Sequence, residues 1–388
     1  MTTSTRPPVP DDPPPRFRPF LLERWFAQHE FAAPFVLCAS DCETMRVDEL
    51  LALSPGAADA LAAQRLGYTE STGHPELRAA IARQYGAIAP DEVLVHAGAE
   101  EAIFTLMHAA LAPGDHVLVH APGYQSLSEI ARGLGCDVTL LETRHEDGWA
   151  LDPDAVAARI RPRTTLLVIN TPHNPTGAHL SGERFDALVA LARRHGLTML
   201  SDEVYRGLEY EAGDRLPAAC DRYERAVSLG VMSKSYGLAG LRIGWVATRA
   251  RDLIARMAAV KDYTTICCAA PSELLATVAL GAGERIIARN RAIIRENLAA
   301  AEAFMARQAG HLEWVRPRAG PVAFPRFVGP VDVEAFCAAV LREAGVLLAP
   351  GTLFAPGSRA FRLGLGRRDF AEGLARLEAV IGHRPPAP

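Results

Sequence analysis

The stretch VMSKSYGLAGLRIGW, residues 231–245, decides how the rest of the chain is read. It sets Ser233, Lys234 and Arg242 around a bend containing Gly237 and Gly240, between strand candidates at Ala226–Gly230 and Gly244–Ala247. A lysine on a turn at a strand end can reach into a cleft. Burial there lowers its pKa, so that a neutral amine is available to attack an aldehyde. Arg242, eight residues on, carries a forked donor that suits a phosphate. The glycines allow the backbone to approach closely. Read alone, the same residues could be a surface Lys and Arg beside a strand terminus.

Working upstream, TPHNPTG (171–177) follows the apolar run Thr165–Asn170, and SDEVY (201–205) follows Thr198. In isolation, Asn-Pro-Thr-Gly is a turn and Asp202 a helix N-cap. Ligands of an open parallel sheet bind outside the carboxyl ends of its strands, so Asn174, Asp202 and Lys234 would converge on one crevice. Further strand candidates lie at Val93–Ala97, His116–His120 and Val138–Leu141. Amphipathic stretches at Glu100–Leu111, Tyr124–Gly133 and Ser181–His195 alternate with the strands. Strand–helix alternation predicts right-handed crossovers and an α/β fold with a mostly parallel seven-stranded sheet covered on both faces. After Pro271 an Ala/Arg/Glu-rich helical region reaches about Ala309, followed by strand candidates at Leu312–Val315, Pro321–Pro325 and Phe361–Gly364.

The expected organisation is a flexible Pro-rich arm over 1–30, an N-terminal segment 31–65 partly in the small domain, a large domain 66–275, and a small α+β C-terminal domain 276–388. At 388 residues the chain suits two lobes. The 41 basic and 45 acidic residues are mixed without a basic run, which argues against nucleic acid or an anionic membrane as partner. No apolar run reaches the roughly 18 residues of a membrane span. The seven cysteines (38, 42, 136, 220, 267, 268, 337) form no framework, as expected of reduced thiols in a cytoplasmic protein. The 12 histidines show no metal-ligand spacing, so no metal is expected.

The combination resembles the fold-type-I pyridoxal-phosphate (PLP) enzymes of the class I/II aminotransferase family, from about Phe31 onward. The resemblance implies that Lys234 forms the Schiff base with PLP and that Asp202 pairs with the pyridinium nitrogen. It further implies that Asn174 and Tyr205 hydrogen-bond the ring's phenolic oxygen and that Ser233 and Arg242 bind the phosphate. HAGAEEAIF matches the family's turn into a helix, whose amides at Ala99 and Glu100 would hold that phosphate. Tyr124, in APGYQS, stands where the family stacks an aromatic ring on the cofactor. LGYTESTGHPELRAAIA (66–82) looks like the segment in which Tyr68 reaches the partner subunit's phosphate, which implies a homodimer with shared sites. PGTLF (350–354) and FRLGLG (361–366) match the segment whose arginine, here Arg362, grips the substrate α-carboxylate. One departure is Val231, where many members carry a phosphate-binding Ser; its absence costs one hydrogen bond, about 1 kcal/mol.

The activity implied is transamination at Cα of an L-amino acid. The alternative is elimination followed by addition or cyclisation of an arginine-derived amino acid, because 231–245 together with KDYTTICCAAPSELLA (261–276) is similar to capreomycidine-synthase-like enzymes. Aminotransferase-like domains also occur fused to winged helices in transcription regulators, but the roughly 30 preceding residues, mostly Pro-rich, do not fit such a module. CASDCETMRVDELL (38–51) is placed as a loop over the site, with Asp41 and Glu43 as either solvated charges or a pocket for a cationic side chain.

Overall fold

The computed structural model describes residues 17–383. Its centre is a seven-stranded sheet: β1 Val93–His96, β2 His116–Ala121, β3 Asp137–Glu142, β4 Thr164–Asn170, β5 Thr198–Asp202, β6 Ala226–Val231 and β7 Gly244–Ala247. The spatial order is β1-β7-β6-β5-β4-β2-β3. β7 runs antiparallel to both β1 and β6, and the remaining neighbours are parallel. All seven strands lie within two residues of the expected ranges. Burial explains why they were legible: β1, β2, β6 and β7 are buried along their whole length, so they appear as mainly apolar runs, broken only by His96, His116, His120 and Ser228. Edge strand β3 is largely open and its pattern is mixed.

Helices cover both faces. Helix α2, Ala99–Ala110, starts after Gly98, whose φ of 98° is open to glycine at little cost. Helix α3 spans Ser126–Gly133, and α4, Gly182–Arg194, is capped by the Ser181 hydroxyl accepting from the Arg184 amide at 3.3 Å. The region after Pro271 divides into α5, Ala270–Gly281, and α6, Gly283–Arg307. The break falls at Ala282, flanked by two glycines of poor helix propensity.

The C-terminal part adds a three-stranded sheet in which Phe361–Gly364 lies between Val322–Ala323 and Ala349–Pro350. Phe35–Val36 pairs with Val346–Leu347, which brings the early chain against the late chain. The strand candidates at 312–315 and 321–325 contract to two residues each.

Of the arm expected over 1–30, residues 1–16 lie outside the described residues, but Leu21–His29 form a helix, α1. Leu22 is buried, and the Trp25 indole donates to the Leu348 carbonyl at 3.2 Å. The flexible-arm reading is corrected for this stretch. Pro-rich composition ends before it, and the apolar side of LLERWFAQH is satisfied only by packing on residues far away in sequence.

Candidate active site

The carboxyl ends of β4, β5 and β6 meet at one cleft of about 560 Å³. Asn170, the last residue of β4, ties its floor together. Its Nδ2 donates to the Asp202 carbonyl at 3.0 Å, and its Oδ1 accepts from the Asn174 amide at 2.7 Å. Sequence reading passed over Asn170, because nothing local distinguishes it from a strand terminus. The turn carrying Lys234 is fixed from both sides. The Met232 amide donates to the Ile243 carbonyl at 2.9 Å, and the Ser235 hydroxyl reaches the Val204 and Arg206 carbonyls at 2.9 Å each.

Ala99, Glu100, Tyr124, Asn174, Asp202, Tyr205, Ser233, Lys234, Arg242 and Asp41 all line this cleft. Lys234 Nζ donates to Ser40 Oγ at 2.9 Å, and the Tyr205 hydroxyl donates to the Ser40 carbonyl at 2.9 Å. Ser40 was therefore missed as the residue joining two predicted site residues, since it comes from the distant segment 38–51. Burial, assisted by the Arg362 charge, holds the Lys234 ammonium below its usual pKa, against Asp41, Glu23 and Asp202. Burial pushes the Asp202 carboxyl up to about 7, opposed by the Val204 amide, which donates to Oδ1 at 3.3 Å, and by the Lys234 charge. Burial likewise pushes Glu100 up to about 7.

Arg362 is fully buried. Its Nε donates to the Cys38 carbonyl at 3.0 Å and its Nη1 to Asn174 Oδ1 at 3.1 Å, while Nη2 has no acceptor among the described residues. Phe26 of α1 and Phe354 flank the guanidinium, with ring centroids 5.8 and 5.2 Å from Cζ. The Tyr124 hydroxyl donates to Glu23 Oε1 at 2.9 Å, and its ring leans on Phe20.

Two expected residues stand apart from the cleft. Tyr68 is 92% exposed on the surface of this chain. Glu43 is a correction: its carboxylate accepts from the Arg368 amide at 2.9 Å and forms no part of the cleft wall. Asp41 does line the cleft, but both its oxygens accept from Arg367 Nη2 at 2.9 Å. The loop 38–51 turns back onto the C-terminal part, where an arginine meets each half of the acidic pair through backbone or guanidinium. Loop chemistry alone could not show that.

The donor set suits PLP. First-turn amides of α2 have no intrahelical acceptor, and Ala99 and Glu100 of that turn line the cleft. Arg242 takes the left-handed conformation (φ 51°, ψ 46°), and a Cβ on Gly98 would lie 2.6 Å from its Nη2. Gly98 is thus a cradle that a side chain would fill. A phosphate fits between these groups and the Ser233 hydroxyl. The buried Asp202 carboxyl needs a cationic N–H donor, which a pyridinium supplies, and unpartnered Arg362 Nη2 fits a carboxylate.

Residues 35–371 match the Aminotransferase class I and II family, to which this chain belongs. It is 31% identical to capreomycidine synthase of Streptomyces vinaceus over 365 residues, 93% of each chain. Two solved structures are similar to it. One is a PLP-dependent aminotransferase from Streptococcus suis, with TM-score 0.89 and 30% identity, covering 96% of this chain and all of that one. The other is the PLP-dependent cyclase OrfR, with TM-score 0.87 and 33% identity, covering 98% of this chain and all of that one. The protein is an enzyme of the fold-type-I class, and its cofactor is pyridoxal 5'-phosphate.

Proposed function

We propose that this enzyme is an aminotransferase acting at Cα of an L-amino acid, with Lys234 as the proton-transferring base. The observation that carries this reading is the placement of Lys234 and Asp202 on the walls of one cleft with Arg362 buried beside it. When bound, PLP supplies an aldehyde that accepts an amine and an electron-poor ring that withdraws electrons from Cα. The α2 amides at Ala99 and Glu100, with Ser233 and Arg242, hold its phosphate. Asp202 keeps a proton on the ring nitrogen. Asn174 and Tyr205 orient the ring from its oxygen side, and Tyr124 backs it.

Arg362 grips the substrate α-carboxylate through its free Nη2. That grip keeps the carboxylate bond in place and favours cleavage at the Cα proton over decarboxylation. Nζ of Lys234, whose pKa burial lowers, takes the proton from Cα and later returns one. A homodimer in the cytoplasm completes the proposal. Tyr68 of one subunit serves the other's phosphate site, and the seven cysteines, all unpaired thiols, suit a reducing compartment.

A second reading is elimination with cyclisation of an arginine-derived amino acid, supported by the likeness to capreomycidine synthase and to the cyclase OrfR. Both readings begin with the same proton removal by Lys234. They separate on whether a substituent leaves Cβ. The deciding experiment incubates PLP-loaded protein with an amino-acid panel, with and without a 2-oxo acid acceptor. Transamination gives a new 2-oxo acid in step with amination of the acceptor. Acceptor-independent consumption with release of water or ammonia replaces the first reading with the second.

A further inference from the structure

Helix α1 presents charge to the cleft that the cofactor does not use. Glu23, Phe26 and Glu30, the last of them the C-cap residue in helical conformation (φ -58°, ψ -47°), are spaced three and four residues apart, so they share one side of the helix. All three form part of the cleft wall. The helix is pinned in place by its contacts. The Leu21 amide donates to Gln125 Oε1 at 3.0 Å, Trp25 to the Leu348 carbonyl at 3.2 Å, and Tyr124 to Glu23 Oε1 at 2.9 Å.

Each other charge on the wall has a task or a partner, apart from Arg24, which lines the cleft from its exposed side. Asp202 and Arg242 serve the ring and the phosphate, Lys234 moves the proton, and Asp41 is held by Arg367 at 2.9 Å. Glu100 sits at the phosphate end, where burial pushes its carboxyl up to about 7. Glu23 Oε2 accepts no hydrogen bond among the described residues, since Tyr124 takes only Oε1. Glu30 accepts no side-chain hydrogen bond among the described residues; burial and then the Asp41 and Glu23 charges raise its pKa, against the Arg367 and Lys234 charges, which lower it. Arg24 is the opposing cation of α1, and it is exposed.

An independent feature points to the ligand these acids await. Buried Arg362, with Nη2 unpartnered, lies 5.8 Å from the centroid of the Phe26 ring, which stands between the two glutamates on the helix. A carboxylate held by Arg362 therefore starts beside the apolar middle of an acidic stripe whose two ends are about 10 Å apart along the axis.

We propose that Glu23 and Glu30 bind the cationic end of the substrate side chain, so that the enzyme acts on amino acids ending in a guanidinium or ammonium group. This rests on the reading above that Arg362 takes the α-carboxylate. Phe26 covers the aliphatic stem, and a carboxylate beyond it meets the charge. A neutral side chain would leave both carboxylates partly desolvated and unpaired, which disfavours it. The recognition thus falls to α1 and not to Asp41 and Glu43.

Arginine and citrulline make the test, since they share length and shape and differ in the charge of the terminal group. The holoenzyme is expected to favour arginine in kcat/KM at least tenfold, and the Glu23→Gln/Glu30→Gln double variant to bring that ratio to within about threefold of unity. The same pair titrated calorimetrically into the PLP-loaded Lys234→Ala protein, which does not turn over, is expected to show the same preference in Kd. A role of Glu23 confined to holding Tyr124 would lower both substrates together and leave the ratio in place. Equal treatment of the two by the wild type, or a folded double variant that keeps the arginine preference, overturns the proposal. Turnover of neutral amino acids without preference overturns it and leaves the catalytic reading intact. Absence of turnover with calorimetric preference for arginine does the reverse.

Discussion

At the scale of single residues, the cleft works by keeping two groups away from their ordinary protonation. Burial makes the Lys234 amine easier to hold neutral and makes the Asp202 carboxyl harder to ionise without a cation beside it. Lys234→Ala is expected to retain PLP through the phosphate cradle while losing the visible absorbance that borohydride bleaches and at least 1,000-fold in kcat. A variant with near-normal turnover would end the assignment. Asp202 has a pH signature as well. In the cofactor-free fold its carboxyl stands at about 7 against an ordinary 3.8. Across that window the folded chain binds a proton that the unfolded chain has released, so this group's contribution to stability falls as pH rises from about 4 to about 7. Asp202→Asn has no such proton to lose. Its melting temperature, relative to that of the cofactor-free wild type, is expected to climb between pH 5 and pH 8, by an amount corresponding to a few kcal/mol. A gap that stays constant across those pH values would mean that the carboxylate already has a partner in the empty cleft.

At the scale of elements, the cofactor cradle depends on two backbones meeting. A Cβ on Gly244, at the start of β7, would come within 2.6 Å of the Gly98 carbonyl carbon and 2.7 Å of the Ala99 nitrogen. The first turn of α2 therefore sits directly on β7. At Gly98 itself φ is 98°, and an added Cβ would strike the Arg242 guanidinium. Gly98→Ala is expected to strain the turn and push Arg242 aside, raising the Kd for PLP at least tenfold, with a stability cost of about 1–3 kcal/mol. Cofactor titration and thermal unfolding of the same preparation separate the two effects. Unchanged PLP affinity would remove Arg242 from the phosphate site. Helix α1 shows a different dependence. It is nine residues long, too short to stand alone in water, and it holds its place through Leu22, Trp25 and Glu23.

At the scale of the whole molecule, the surface itself argues for a second copy. Leu66, Tyr68 and Tyr263 are 85%, 92% and 93% exposed, and the Thr69 hydroxyl bonded to the Cys268 carbonyl at 3.3 Å joins the two segments that carry them. Large apolar side chains grouped in this way mark an interface more often than open solvent. Light scattering is expected to report a dimer at micromolar concentration. Tyr68→Ala is expected to weaken PLP retention in that dimer severalfold without disturbing the sheet. A monomer with full activity would contradict the shared site.

Most of the seven strands were readable in the sequence because strands buried on both faces are short, mainly apolar runs, and the carboxyl ends of the parallel ones follow from the same reading. Asn174 and Lys234 were legible as candidates because each lies just beyond such an end, on a turn, Asp202 because it closes β5, and Arg242 because it follows the glycines of the turn that leads into β7. Ser40, Asn170, Glu23 and Glu30 were not. Ser40 and the glutamates reach the cleft from segments more than 100 residues away from the chemistry they touch, and the two halves of the 38–51 loop are spoken for by Arg367 and Arg368 near the other end of the chain. Local pattern reports which face of an element is apolar, and so it determined the sheet and the strand ends that meet at the cleft. Which carboxylate meets a substrate depends on which charges the folded chain has already paired, and that was decided only when α1 and the C-terminal part closed over the cleft.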